Sequence, residues 1–152
     1  MATEMPHSHP IAANAKGTVL VTGSSRGIGK AIALQLAREG YQLVLHCRSQ
    51  LTQAQAVQAE IEALGSVARI IQFDVADRQA CAHALEADIQ AHGAYYGVVC
   101  NAGIAIDNAF PAMSGGDWDA VIHTNLDSFY NVLQPLIMPM IQRRKPGRIV
   151  AL

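Results

Sequence analysis

Net charge is nearly absent from this 152-residue sequence: eleven Lys plus Arg stand against twelve Asp plus Glu, leaving −1. That balance excludes a global field favouring nucleic acid or an anionic membrane surface. No apolar run approaches the length that spans a bilayer. Residues 1–16 have no apolar core of the kind a signal peptide needs and are expected to form a flexible tail. His7 and His9 lie in that tail, where isolated histidines do not make a metal site, and no metal is assigned. The three cysteines, Cys47, Cys81 and Cys100, are odd in number and include no C-x-x-C pair. They read as reduced, mostly buried thiols of a cytoplasmic protein, not as a disulfide framework. There is no internal repeat or domain linker, and compositional bias is limited to mild Gln and Ala enrichment over 53–63.

What is present begins at residues 18–29, Thr-Val-Leu-Val-Thr-Gly-Ser-Ser-Arg-Gly-Ile-Gly. Val19, Leu20 and Val21 form a short continuous apolar run, the pattern of a strand buried on both faces. From Ile28 the pattern Ile28, Ala31, Ile32, Gln35, Leu36 has helical spacing, and Gly40 closes the helix. Between them lie Gly23, Gly27 and Gly29. Gly23 permits a sharp exit from the strand, Gly27 leaves room for a pyrophosphate, and Gly29 lets the helix lie close to the sheet. The first helical turn then presents free N–H groups and the positive end of its dipole to an anion, with Ser24 and Ser25 as hydroxyl donors. Strand, glycine turn and helix together indicate dinucleotide binding.

Strand and helix patterns alternate thereafter. Strands are predicted over 41–46, 67–73, 97–100 and 148–152. The first intervening helix buries Ala54, Val57, Ile61 and Leu64; the second runs over about 78–92 with Cys81, Leu85 and Ile89 inward. Ser114-Gly-Gly-Asp117 is a capping box opening a long helix over 115–142. Its apolar face reads Trp118, Val121, Ile122, Leu126, Phe129, Val132, Leu133, Leu136, Ile137 and Met140. Arg143, Arg144 and Lys145 read as helix-end charges that satisfy the dipole. This order implies an α/β fold: a Rossmann-like, doubly wound parallel sheet with helices on both faces. The last strand lacks a covering helix, so residues 17–152 are expected to be the N-terminal part of a longer single domain whose sheet is incomplete here.

The spacing Gly23-x-x-x-Gly27-x-Gly29 differs from the commoner G-x-G-x-x-G. With Thr22 it resembles the T-G-x-x-x-G-x-G cofactor loop of the short-chain dehydrogenase/reductases. The stretch Gly23-Ser24-Ser25-Arg26-Gly27-Ile28-Gly29 looks most like the 3-oxoacyl-(acyl-carrier-protein) reductases within that family. The resemblance runs from about Lys16 to Leu152.

The end of the second strand bears on the cofactor. An NAD-binding domain of this type has an Asp or Glu roughly 20 residues past the glycines for the ribose hydroxyls. This sequence has His46-Cys47-Arg48-Ser49 and no acid. Arg48 offers a fork of donors to a 2′-phosphate, and Arg26 reaches it from the glycine loop, so NADP(H) is expected. The resemblance further implies that Asp74 and Val75 lie near the adenine and that Asn101-Ala102-Gly103 lines the cofactor. Asp74 could equally cap the following helix, and Asn101 could pin strand ends.

Asn125 falls within the apolar face of the long helix, and a buried amide needs partners. Read from the residues alone, it either bonds a neighbouring main chain or serves catalysis. The resemblance implies the second: the Asn of Thr124-Asn125-Leu126 bends this helix and holds a water of the proton relay. The family's Ser and Tyr-x-x-x-Lys residues would follow Leu152; Tyr95, Tyr96 and Tyr130 have no Lys four residues on. The 152 residues alone are therefore expected to bind cofactor without catalysing.

For the complete parent the resemblance implies NADPH-dependent reduction of a β-ketoacyl thioester, carried on acyl carrier protein, in fatty-acid or polyketide-type biosynthesis. An alcohol or hydroxysteroid dehydrogenase of the same family and a non-catalytic NADP-binding sensor are the alternatives. The long helix resembles one that pairs between subunits, making a homo-oligomer (dimer or tetramer) the expected state, with Phe129, Tyr130 and Leu133 facing the partner.

Overall fold

The central strands send alternate residues to opposite sides, and the helices follow that alternation. The computed structural model describes residues 15–152. In chain order they form β1 (Thr18–Val21), α1 (Gly27–Arg38), β2 (Gln42–Cys47), α2 (Leu51–Ala63), β3 (Ala68–Gln72), α3 (Arg78–His92), β4 (Gly97–Cys100), α4 (Gly115–Ile122), α5 (Ser128–Gln142) and β5 (Arg148–Ala151). The strands make one parallel sheet in the order β3-β2-β1-β4-β5. Val19, Val21, Leu43, Leu45 and Val99 meet Ala33 and Ala37 of α1 and Val57 and Ile61 of α2. Leu20, Val44, Val98 and Cys100 meet Cys81 and Leu85 of α3 and Val132, Leu136 and Met140 of α5. Two apolar layers therefore enclose the sheet, as the expected Rossmann-like architecture requires. Among the described residues no helix is long and apolar enough to cross a membrane.

A charged cluster joins α3 to the sheet. Arg69 of β3 donates two hydrogen bonds to Asp88 at 2.7 and 2.6 Å, and the buried Tyr95 hydroxyl donates a third at 2.6 Å. Burial pushes the Asp88 carboxyl up, but the bonds from Arg69 and Tyr95 outweigh it and hold the acid below its usual range.

Several details depart from the sequence reading. The helix expected over 115–142 is two helices, α4 and α5, joined by a π-helical segment, His123–Asp127. The capping box is present: Ser114 Oγ accepts from the Asp117 N–H, and Asp117 reaches back to the Ser114 N–H. Trp118 and Leu126, expected inward, are exposed. The buried amide of this region is Asn131, bonded to the Val75 carbonyl and to Arg78, while Asn125 is exposed. On α1, Ile28 is exposed and the buried positions are Gly29, Ala33 and Ala37. Small residues fill that contact because the helix lies so near the strands. Leu64 caps α2 from outside the core. Of Phe129, Tyr130 and Leu133, only Tyr130 is exposed; the others pack against the core. Arg143 sits just past α5 and donates to the Tyr95 carbonyl, adding a tertiary contact to its helix-end position. The first fourteen residues of the expected tail, His7 and His9 among them, lie outside the described residues. Lys16 is tied down, its N–H donating to the Gly40 carbonyl.

Candidate functional site

The strand order reverses at β1, whose neighbours β2 and β4 lead the chain away in opposite directions. In open parallel sheets such a reversal leaves a crevice beyond the carboxyl ends of the strands. Here it is a cleft of about 370 Å³. One wall is the turn from β1 into α1. The others are residues 46–50 at the end of β2 and just past it, Asp74 and Val75 after β3, and residues 101–104 after β4.

Each wall is fixed by bonds reaching across the sheet. Thr22, buried at the tip of β1, accepts at its Oγ1 from the N–H groups of Asn101 and Ala102, both at 2.9 Å. The Asn101 amide donates in return to the carbonyls of Thr22 and Gly23. Asn101 is therefore a strand pin, the structural role left open above, while still lining the cleft. Gly23 leaves the strand at φ +64°, a conformation that favours glycine. A Cβ on Gly29 would overlap the Gly23 carbonyl oxygen and stand 2.5 Å from Asn101 Nδ2. Around Gly27 a Cβ would meet nothing within 4 Å, so no protein atom crowds the turn there.

His46 occupies the angle between β1, β2 and β3, 2% exposed. Its Nδ1 accepts from the Gly23 N–H at 3.0 Å, and Nε2 lies 2.9 Å from the Phe73 carbonyl oxygen. A carbonyl only accepts, so Nε2 carries the hydrogen and the ring is neutral. Burial drives its pKa down to about 4, against weaker opposing pulls from the Phe73 carbonyl and Asp74. A histidine whose folded pKa lies below its unfolded value contributes stability present above the unfolded pKa, about 6.5. That stability is lost as pH falls toward the folded value. Urea unfolding is expected to show the chain losing about 2 kcal/mol more than its His46→Phe variant between pH 7 and pH 5. Equal losses would remove the assignment.

Ser24 corrects one expectation. It is fully buried and does not reach the cleft. Its N–H donates to the His46 carbonyl and its Oγ accepts from the His46 N–H, so it splices the turn to β2. By contrast, among the described residues no acceptor is bonded to the N–H groups of Ser25, Arg26, Gly27 and Ile28. These unpaired donors at the start of α1 are what a phosphate group needs.

Arg26 and Arg48 are exposed at the rim of the same cleft. Arg48 Nη1 lies 3.8 Å from Asp74 Oδ2, in a pair with 62% and 40% of the side chains exposed. Such a solvated pair holds weakly, leaving the Arg48 guanidinium available to another anion. Asp74 also accepts from the Ala76 N–H through Oδ1, but the cap of α3 is Asp77. Ser49, Val75, Ala102 and Gly103 line the cleft as expected.

Asn125 does not line the cleft. Its amide accepts from the Ile104 N–H and donates to the Ile104 carbonyl, both at 2.8 Å. The wide turn of the π-helical segment carries Asn125, and its side chain clamps the loop after β4. Sequence reading missed His46, Cys47, Gln50, Ile104 and Thr124 as lining residues. His46 alone carried a signal, a polar ring in an otherwise apolar run. The thiols are not reactive groups: burial pushes Cys81 up to about 12 and Cys100 up to about 11, and raises Cys47. Among the described residues no three His, Cys, Asp or Glu side chains are placed to hold a metal ion.

A parallel sheet reversing at β1, with a glycine turn running into a helix beside the reversal, defines the Rossmann class of dinucleotide-binding domains. The chain belongs to the short chain dehydrogenase family, whose profile matches residues 17–152. It is 61% identical over 135 residues to a 3-oxoacyl-(acyl-carrier-protein) reductase of Aggregatibacter actinomycetemcomitans, covering 89% of this chain and 56% of that protein. Among solved structures, a 3-oxoacyl (acyl-carrier-protein) reductase of Agrobacterium tumefaciens with NADP bound superposes with a TM-score of 0.81 at 34% identity. That match covers 90% of this chain and 52% of that one. A metagenomic short-chain oxidoreductase in complex with NADP gives a TM-score of 0.84 at 33% identity, covering 90% and 62%. The chain thus spans little more than half the length of the curated relative it matches.

Proposed function

We propose that residues 17–152 are the NADP(H)-binding part of a reductase that converts a 3-oxoacyl thioester, carried on acyl carrier protein, to the 3-hydroxyacyl form in fatty-acid or polyketide-type biosynthesis. The observation that carries the cofactor reading is the placement of Arg26 and Arg48 at the rim of a cleft lined by residues at the start of α1 whose N–H groups have no acceptor among the described residues. The substrate class is supported by the 61% identity to a reductase of that name. When bound, the nicotinamide supplies a hydride to the ketone carbon. The chain's own residues hold and orient. The N–H groups of residues 25–28 bind the pyrophosphate, and the two guanidinium groups take the 2′-phosphate. Asp74 and Val75 bound the adenine side of the cleft, and Asn101, Ala102 and Gly103 let the main chain approach the cofactor. Asn125 fixes the loop beside the reacting end, with the relay water as its proposed charge.

Calorimetry is expected to show NADPH binding about tenfold or more tighter than NADH, and Arg48→Asp to remove that preference. Equal affinities in the unsubstituted chain would overturn the cofactor choice. The activity is tested in a protein carrying this chain together with the Ser and Tyr-x-x-x-Lys residues the family resemblance implies. NADPH oxidation with acetoacetyl thioester is expected; turnover of a secondary alcohol alone would favour the alcohol dehydrogenase reading.

Assembly as a cytoplasmic dimer or tetramer through residues 115–142 is part of the same proposal. It is supported by Leu126, Tyr130, Met138 and Ile141, large apolar side chains exposed on one side of that segment. Sedimentation is expected to show Tyr130→Glu with Met138→Glu shifting the chain toward monomer; an unchanged mass would place the interface elsewhere.

A further inference from the structure

We infer that His46 is a positioning residue for the cofactor: its neutral imidazole fixes the Gly23 peptide and thereby decides which N–H groups of the turn face the pyrophosphate. The inference rests on the cofactor reading above and adds to it a residue that never touches the reacting atoms.

The turn carries six consecutive N–H groups, from Gly23 to Ile28. Two are taken by the same residue: Gly23 donates to His46 Nδ1 and Ser24 donates to the His46 carbonyl. Among the described residues the other four, and that of Gly29 beyond them, have no acceptor. The split falls at one point in the chain, and His46 makes it. Asn101 holds the carbonyl side of this peptide and the ring holds its N–H; without the ring one of the two anchors is gone, at a glycine whose φ of +64° leaves other conformations of similar energy. The unpaired donors downstream would then lose the fixed peptide from which the turn sets out.

The ring itself is held on two further sides. Phe73 packs against it at a tilt of 46° with centroids 4.2 Å apart, and the Phe73 carbonyl takes the Nε2 hydrogen. That bond fixes the tautomer, and the tautomer in turn makes Nδ1 an acceptor. The end of β3 is thereby linked through one imidazole to the glycine turn. A leucine of similar size would fill the space and supply neither bond.

The two amides divide the ring's functions between them. The Asn amide reaches as far as Nδ1, so His46→Asn keeps an acceptor for Gly23 and gives up Phe73. The Gln amide reaches as far as Nε2, so His46→Gln keeps the Phe73 bond and gives up Gly23. Calorimetric titration with NADPH is expected to leave His46→Asn within about threefold of the unsubstituted chain. His46→Gln and His46→Leu are expected to bind about tenfold or more weakly, with folding checked by circular dichroism. If His46→Leu does not fold, the Asn and Gln pair decides. Nitrogen-15 spectra of the unliganded chain at pH 7 give a second readout, with Nε2 protonated and Nδ1 bare. Equal affinity of all variants, or a ring protonated at Nδ1, overturns the inference while leaving the cofactor reading intact. No binding of NADPH to the unsubstituted chain overturns both.

Discussion

Replacing Gly29 with alanine is expected to cost about 2–3 kcal/mol of stability and about a hundredfold in NADPH affinity. The added methyl would overlap the Gly23 carbonyl oxygen and press on Asn101 Nδ2. Neither neighbour can step aside cheaply. The Gly23 carbonyl belongs to the turn, and the Asn101 amide is engaged with both Thr22 and Gly23. The helix must therefore lift from the strand, carrying the free N–H groups of residues 25–28 with it. Gly27→Ala separates packing from binding. Its methyl meets no protein atom, so only the left-handed backbone, φ +55°, opposes it, by about 1 kcal/mol. Yet that methyl would occupy the space where the phosphate is proposed to sit. Urea midpoints and NADPH titrations of the two variants should diverge in this sense: Gly29→Ala loses both properties, Gly27→Ala chiefly affinity. A Gly29→Ala protein with unchanged midpoint and affinity would contradict the close approach.

Asp88→Ala is expected to destabilise the chain by about 3 kcal/mol. The loss is the stranding of its partners, since Arg69 would keep a charge that is only 24% exposed and the buried Tyr95 hydroxyl would have no acceptor. Asp88→Asn should recover part of this, because one acceptor oxygen remains. Removing the whole cluster, with Asp88→Leu, Arg69→Leu and Tyr95→Phe together, is expected to be less harmful than Asp88→Ala alone. A triple variant weaker than the single one would show that the ions themselves stabilise. The pH sense is that of a carboxylate held below its usual range: its contribution is present above the unfolded pKa, about 3.9, and lost as pH falls through the folded value. His46 acts in a higher window, between about 6.5 and 4, so the two can be told apart in one acid titration.

Local patterns in the sequence reached far into this fold. The helix expected over 78–92 and the strand over 97–100 have those bounds because the apolar spacing and Gly93 are adjacent signals, although the cap is Asp77 and not Asp74. The glycine turn was legible for the same reason, as were Arg48 and Asp74, which follow strands whose ends are evident. What escaped depends on partners far along the chain. Ser24 looks like a loop hydroxyl until β2 is laid beside it. Asn125 lies on the apolar stripe of a straight helix, but the π-helical segment turns it outward to Ile104. Asn131, a few positions on, takes the buried place, with acceptors and a donor from the start of α3 that no periodicity could reveal.

The bonds between Thr22 and Asn101 join positions 79 apart, and they close the cleft. A ribosome making this chain delivers the turn and both arginines long before the pin that steadies them. Until residues 97–101 emerge the nascent protein has half a hollow, with β1 exposed along the edge that β4 will cover. The hollow cannot template its own early stages; it is completed only with the emergence of the fourth strand.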